Sequence, residues 1–269
     1  MNDAPIGVFD SGVGGLSCVE ELIRLMPNED IVYLGDTARV PYGTRSRDTI
    51  ISYAGEDISF LKKHKVKMIL VACGTVSSVL ESIKDECGDI PVSGVVMPAV
   101  RAAYEATQNG RIGIIATGAS IKTGSYDRKL RELDDKLAII GKACPMLVPL
   151  AENGYTSPDC PPARFFTEEY LKDIKAMNVD TLILGCTHFP HFSDVISEYM
   201  GGGVKLISSS AELAAHAAAE LERCDQRSSK SSQGRIELFC TDSAQLFAEN
   251  VRKFLGRDIN AGISKCSLK

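Results

Sequence analysis

The chain is predicted to be an α/β protein built from two pseudo-symmetric domains, each a mostly parallel sheet flanked by helices. Short apolar segments alternate with amphipathic segments along almost the whole chain, as in proteins whose parallel strands are connected by helices. Two of the apolar segments end in similar turns that contain a cysteine. The length of 269 residues is sufficient for two domains of ordinary size.

The apolar segments predict strands in both halves of the chain. We expect strands near 5–9, 31–35, 67–72, 91–96, 111–116, 145–149, 180–185, 204–207 and 236–240. The amphipathic segments predict helices over 46–64, 98–108, 163–176 and 209–223. Strands of the first half end in turns with Gly or Pro, which fits ligand binding at the carboxyl ends of parallel strands.

Similar segments recur at a nearly constant offset, which predicts an internal duplication. Cys73 and Cys186 are 113 residues apart, and residues 6–12 resemble residues 112–118 at an offset of 106. We assign residues 1–97 plus 210–269 to the first domain and residues 98–209 to the second. The strand and helix after residue 235 are expected to return to the first sheet, and 227–234 is expected to be a flexible surface loop.

Composition excludes several classes of protein. The net charge of −5, with acids and bases mixed, argues against a nucleic-acid partner. No apolar stretch approaches membrane-spanning length, and nothing resembles a signal peptide. Nine cysteines without tight spacing indicate reduced thiols and a cytoplasmic protein, and the lack of a C-x-x-C pair argues against a zinc site. No metal is therefore expected.

The two cysteines at the strand ends are the strongest candidates for chemistry. Each follows a buried strand and precedes a helix start, where free N–H groups favour a thiolate. Two such thiols in repeated surroundings indicate a pair of bases, and His188 could position or accept the proton of Cys186. The other cysteines are interpreted as core or bystander residues: Cys18, Cys87, Cys144, Cys160, Cys224, Cys240 and Cys266.

Other polar residues stand at predicted strand ends. Asp10 and Ser11 open a glycine-rich turn that lacks both the dinucleotide-binding and the P-loop spacing. Residues 41–43 are predicted to form a turn that exposes backbone N–H groups and a phenol. Thr117 and Ser120 occupy the corresponding place in the second half and could hold a carboxylate. Glu152 is either an acid of the same site or a loop charge.

Four motifs together resemble the cofactor-independent glutamate racemases of the aspartate/glutamate racemase superfamily, over nearly the whole chain. They are FDSGVGGLS at 9–17, GDTARVPYG at 35–43, ACGT at 72–75 and LGCTHFP at 184–190. The resemblance implies a site between two domains, no cofactor, and a homodimer. It also implies interconversion of L- and D-glutamate, with D-glutamate supplied to peptidoglycan synthesis.

The resemblance also implies roles for individual residues. Cys73 and Cys186 would be the two acid/base thiols, with Asp10 assisting Cys73, and His188 and Glu152 assisting Cys186. The amino acid would be held by Asp10, Ser11, Pro41, Tyr42, Gly43, Gly74, Thr75, Thr117, Ser120 and Thr187. The chain departs from the family at Gly74, where asparagine is usual and helps to hold the substrate, and at Ser120, where threonine is usual.

Three alternative functions remain open from the sequence. The chain could be a racemase of another acidic amino acid such as aspartate. A Cys-His pair beside hydroxyls also fits an acyl-transferring hydrolase with a thioester intermediate. A non-catalytic amino-acid-binding protein would keep the fold and would bind its ligand without exchanging the Cα hydrogen.

Overall fold

Two parallel sheets form the framework of the molecule. The structure, a computed structural model, describes residues 1–255, 258 and 260–268. In chain order the strands are β1 (Ile6–Asp10), β2 (Ile31–Gly35), β3 (Met68–Val71), β4 (Val92–Gly94), β5 (Arg111–Ala116), β6 (Ala138–Ala143), β7 (Thr181–Leu184), β8 (Lys205–Ser208), β9 (Ile236–Cys240) and β10 (Gly262–Lys265). Every pairing between them is parallel, which confirms the predicted α/β fold.

Helices cover the sheets and connect their strands. In chain order they are α1 (Leu16–Leu25), α2 (Arg47–Lys63), α3 (Gly74–Ser77), α4 (Val96–Ala106), α5 (Gly118–Thr123), α6 (Ser125–Leu133), α7 (Leu147–Glu152), α8 (Pro161–Ala176), α9 (Ser193–Met200), α10 (Ser209–Arg223) and α11 (Ala244–Leu255). Short 3-10 turns lie at Tyr42–Thr44, Leu80–Ser82, Lys84–Cys87 and Phe189–Phe192. The four long predicted helices agree with α2, α4, α8 and α10 to within two residues at each end.

The order of strands repeats between the two sheets. Within the described residues, the first sheet has the order β10-β9-β2-β1-β3-β4 and the second has the order β6-β5-β7-β8. Without its two C-terminal strands, the first sheet therefore has the same order as the second. We call each sheet with its helices a lobe. Cys73 follows β3 and Cys186 follows β7, so the two cysteines occupy equivalent places in the two lobes.

The C-terminal segment completes the first sheet, as predicted. Strand β9 pairs with β2 from Ile31–Ile236 to Gly35–Cys240, and β10 adds to the outer side of β9. Helix α10, which follows the last strand of the second sheet, packs against α1 of the first lobe. There the hydroxyls of Ser17 and Ser210 are 2.6 Å apart and buried. The domain boundaries at residues 97 and 209 stay a prediction.

One predicted strand was wrong and two strands were missed. The apolar run at 145–149 does not form a strand, since helix α7 begins at Leu147. The strand at this place in the second sheet is β6, which the sequence did not reveal because its side chains are half-buried or exposed. Strand β10 was also missed, and it too is a largely exposed edge strand. In β6 the apolar run stops before Gly141 and Lys142, and β10 contains a single large apolar residue, Ile263.

The loop at 227–234 lies on the surface, as predicted, but is held to the first lobe by hydrogen bonds. Ser229 donates to Asp3, and Lys230 forms an ion pair of 2.6 Å with Asp30. Beside this loop, Lys67 Nζ lies 2.6 Å from Glu29 Oε2, and the two side chains are 1% and 2% exposed. Lys67 also donates to the carbonyl oxygens of Asn2 and Gln226, so one ammonium group ties together four chain segments.

Replacing Lys67 with methionine should lower the free energy of unfolding by about 3–5 kcal/mol, because Glu29 would stay buried without its counter-charge. Urea denaturation measures this loss. Lys84→Met is the matched control, since Lys84 pairs with Glu81 where the side chains are 50% and 76% exposed. That control should change the unfolding free energy by less than about 1 kcal/mol. Equal effects of the two substitutions would contradict the argument.

Candidate active site

A cavity of about 430 Å³ lies between the two lobes, at the carboxyl ends of β1, β3, β5 and β7. This volume is within the range of small-molecule sites. All but one of the site residues expected from the sequence contribute to its lining: Asp10, Ser11, Pro41, Tyr42, Gly43, Cys73, Gly74, Thr75, Thr117, Glu152, Cys186, Thr187 and His188. The exception is Ser120, which is buried behind Thr117 and lies 3.0 Å from its hydroxyl.

Cys73 is a buried thiol whose surroundings favour the protonated form. It directly precedes α3, and its Sγ donates to Ser11 Oγ at 3.6 Å. Burial raises the pKa of Cys73 to about 12, and the charge of Asp10 acts in the same direction. The N–H of Val76 in α3 opposes this shift without overcoming it. The helix terminus therefore acts in the expected direction at Cys73, but burial outweighs it and the thiol stays protonated near neutral pH.

Cys186 has a different environment because a histidine accompanies it. Its Sγ lies 3.7 Å from His188 Nδ1, and His188 Nε2 lies 3.1 Å from Glu152 Oε1. Burial by itself would lower the pKa of His188, but hydrogen bonds to Cys186 and Glu152 and the charge of Asp10 raise it to about 10. The resulting imidazolium lies beside the Cys186 sulfur.

Glu152 belongs to the site rather than to a solvated loop. It is the last residue of α7, the helix that stands where a strand was expected. Its side chain is 43% exposed, so it reaches His188 from the mouth of the cavity. The contact places Glu152 beside His188, and its role as an acid of the site stays a prediction.

Asp10 ends β1 and is buried close to both reactive centres. Its Oδ1 accepts the N–H of Gly12 at 2.8 Å, and burial raises the pKa of this carboxyl group. A Cβ on Gly15 would lie 2.7 Å from the Asp10 Cβ, so the turn needs glycine there to accommodate the side chain. The charge of Asp10 raises the pKa of Cys73 and of His188 alike.

The phenol of Tyr42 is not exposed to the cavity as a free donor, contrary to expectation. Its hydroxyl donates to Asp36 and also lies 3.3 Å from Asp57 Oδ2. Arg39 bonds to Asp36 and packs 4.0 Å over the ring of Tyr53. This buried network fixes the turn at 41–43, which leaves its backbone N–H groups as the available donors.

Sequence reasoning missed two residues that shape the site. Asp57 lies on the buried face of α2, together with Ile50, Ala54, Ile58 and Leu61. An acid at helical spacing among apolar residues was the available signal. Gly14 is the second, because a Cβ there would lie 2.6 Å from His188 Nδ1 and would also meet Thr187. The glycine-rich turn after β1 therefore packs against residues 186–188 of the other lobe.

The C-terminal helix covers the imidazole that serves Cys186. The ring of Phe254 in α11 lies edge-on to His188, with 5.4 Å between the ring centroids, and 4.2 Å from His191. Burial, followed by the charge of His188, lowers the pKa of His191 to about 4. His191 is therefore neutral, and His188 carries the positive charge.

Residues 1–255, 258 and 260–268 contain neither a membrane-spanning helix nor a cluster of metal ligands. No helix in this part of the chain is long and apolar enough to cross a membrane. No group of three or more His, Cys, Asp and Glu side chains there could hold a metal ion.

Comparison with known proteins identifies the family. Residues 6–217 match the model of the family described as Asp/Glu/Hydantoin racemase. The chain belongs to this family. It is 42% identical to the glutamate racemase of Chlorobaculum tepidum over 260 residues, which is 96% of this chain and 94% of that protein. The chain is thus an enzyme of the isomerase class.

Solved structures of glutamate racemases share the fold over the whole chain. The isoform RacE1 from Bacillus anthracis superimposes with a TM-score of 0.93 at 34% identity, covering 100% of this chain and 99% of that one. The enzyme from Francisella tularensis, solved in complex with D-glutamate, gives a TM-score of 0.91 at 31% identity with the same coverage. The resemblance found in the motifs is thereby confirmed.

Iodoacetamide should distinguish the two thiols of this racemase near neutral pH. We expect Cys186 to be alkylated more than about 10-fold faster than Cys73, because the thiolate is the reacting form. His188→Asn should remove the difference. In the wild type the difference should shrink as the pH rises toward about 12, because Cys73 then also ionises.

Peptide mass spectrometry measures both alkylation rates in one sample. Cys224 is exposed and serves as an internal reference that His188→Asn should leave unchanged. Equal rates at Cys73 and Cys186 in the wild type would show that the imidazolium does not act on the sulfur.

Proposed function

We propose that the chain is a glutamate racemase that interconverts L- and D-glutamate by proton transfer between Cα and two cysteines, without a cofactor. The observation that carries this proposal is that Cys73 and Cys186 occupy equivalent positions in the two lobes and line one cavity. The choice of glutamate is supported by the names of the relatives, and by the D-glutamate bound in the enzyme from Francisella tularensis.

Inversion at Cα requires one proton to leave from one face and another to arrive at the opposite face. A single base would have to cross the substrate, whereas two bases on opposite walls need no such movement. The C–H bond breaks as a thiolate takes the proton, and the carbanion takes the proton of the opposing thiol. One sulfur must therefore begin as a thiolate and the other as a thiol.

The unequal environments of the two sulfurs supply this starting state. The imidazolium of His188 supports a thiolate at Cys186, while burial and Asp10 keep Cys73 protonated. After one turnover the protonation states are exchanged, and the enzyme is ready for the other enantiomer. We assign Asp10 to the support of Cys73 as an acid, and His188 with Glu152 to the support of Cys186 as a base.

The carbanion needs its neighbouring carboxylate surrounded by hydrogen-bond donors in a site that excludes water. Thr75 and Thr117 come from different lobes, and their hydroxyls lie 3.1 Å apart in the wall of the cavity. Ser11 and Thr187 add hydroxyls, and the turn at 41–43 adds backbone N–H groups. We propose that these groups hold the amino acid, with Ser120 acting through its hydrogen bond to Thr117.

Three wider expectations belong to the same proposal. D-glutamate made by this enzyme would supply peptidoglycan synthesis, and the enzyme would act in the cytoplasm as a homodimer. Their support is the resemblance to glutamate racemases and the reduced cysteines. The division into domains of 1–97 plus 210–269 and 98–209 is proposed on the same ground.

Each single cysteine variant should still exchange the Cα hydrogen of one enantiomer but should not complete its inversion. In deuterated water we expect Cys73→Ala to exchange the Cα hydrogen of one enantiomer and Cys186→Ala that of the other, while neither completes racemisation. Proton NMR of each pure enantiomer follows the exchange. Cys18→Ala, a change at a buried cysteine outside the cavity, serves as the control and should racemise normally. Near wild-type racemisation by both active-site variants would refute the two-thiol mechanism.

Purified protein without added cofactor should convert L-glutamate to D-glutamate, as followed by circular dichroism. Aspartate is the comparison substrate, and faster turnover of aspartate would reassign the enzyme to that amino acid. An acyl-enzyme detected by mass spectrometry would instead indicate a hydrolase. Binding of glutamate without exchange of its Cα hydrogen would indicate a non-catalytic binding protein.

A further inference from the structure

The two lobes are in close contact beside the two cysteines, where Gly74 faces Gly185. A Cβ built on Gly74 would lie 2.5 Å from the carbonyl oxygen of Gly185, a separation that real Cβ atoms essentially never show. The φ angle of Gly74 is outside the left-handed region, so its backbone conformation would admit other residues. Glycine is therefore required at this position because a side chain would not fit, and not because of the backbone conformation.

Both sides of this contact are held firmly by their own lobes. The N–H of Gly185 donates to Ile115 in β5 at 2.8 Å, and the hydroxyl of buried Tyr126 donates to the Gly185 carbonyl at 3.4 Å. On the other side, the carbonyl of Gly74 accepts the N–H of Ser78 at 3.1 Å. A side chain at Gly74 would therefore be accommodated by moving the lobes apart by roughly 1 Å, the distance needed to reach ordinary contact.

Such a movement would act directly on the reacting sulfurs. Gly74 is the residue after Cys73, and Gly185 is the residue before Cys186. Separating the two glycines moves the two thiols apart along with them. Each proton moves between a thiol and the Cα that lies between the two thiols. The rate of transfer therefore depends on how far apart the two thiols are. A misplacement of about 1 Å can cost roughly 100-fold in rate.

We propose that Gly74 is a positioning residue that sets the distance between the Cys73 and Cys186 sulfurs by allowing the lobes to touch. The proposal rests on the two-cysteine function proposed above. It gives a reason for the departure from the Cys-Asn-Thr pattern of related racemases, in which asparagine helps to hold the substrate. In this chain, contact between the backbones of the lobes takes the place of that side chain.

Two explanations for the glycine make opposite predictions for Gly74→Asn. In the first, the chain lacks an asparagine amide that would bind the substrate. In the second, which we call the spacer explanation, Gly74 keeps the two lobes close together. If the chain simply lacks a substrate ligand, asparagine should restore affinity and raise the rate. If Gly74 is a spacer, both Gly74→Asn and Gly74→Ala should slow racemisation of L-glutamate about 100-fold. Gly202→Ala is the matched control, because no atom lies within 4 Å of its Cβ position and it is outside the cavity.

The decisive measurement is the ratio of Cα exchange to inversion in deuterated water. With the lobes farther apart, one thiolate still removes the Cα proton, but the opposite thiol donates its proton to the carbanion less often. More carbanions then return to the starting enantiomer carrying deuterium. We expect this ratio to rise in both Gly74 variants and to stay unchanged in Gly202→Ala. The ratio reports on active molecules alone, so partial unfolding does not affect it.

Each outcome decides for or against the spacer. An unchanged ratio, or a Gly74→Asn enzyme as fast as the wild type, would overturn it. A Gly74→Ala protein that fails to fold would also contradict it, since a spacer role requires intact lobes that sit farther apart. If the wild type itself neither exchanges nor inverts glutamate, the proposed function fails first and the spacer proposal falls with it.

Discussion

The close approach of the two lobes is the constraint on which the rest of the site depends. Glycine permits it at two points, where Gly14 receives the His188 segment and where Gly74 meets Gly185. Parallel strands bring the polar residues of each lobe to one edge of its sheet. The glycines then let those two edges face each other at a distance that suits a small molecule. The residues that line the cavity are thus brought together by close contacts between the two lobes.

Equivalent positions in a repeated fold do not give equivalent chemistry. Cys73 and Cys186 follow corresponding strands, yet a serine accompanies the first and a histidine the second. Asp10 affects both centres, since its charge favours the protonated form of Cys73 and of His188. A reaction that needs one acid and one base at the same moment is better served by this difference than by strict symmetry.

The sequence was most informative where burial is complete. The strands that lead to Cys73 and Cys186 are buried throughout, so their ends and the residues after them could be located. Strand β6 escaped detection because its apolar run stops at Gly141 and Lys142, and the nearby segment of α7 was mistaken for it. The partners of Tyr42 could not be inferred, since Asp57 meets it only through the packing of α2. Contacts between the lobes, such as that of Gly14 with His188, form only in the folded protein. No local sequence pattern predicts them.

The position of Phe254 brings helix α11 into the surroundings of His188. Its helix belongs to the first lobe, but its ring lies against the imidazole of the second lobe. A version of the protein truncated before α11 would keep both cysteines and every hydroxyl of the cavity, while water would gain access to His188. The surroundings of His188 therefore include a residue, Phe254, that follows it by more than 60 positions in the sequence.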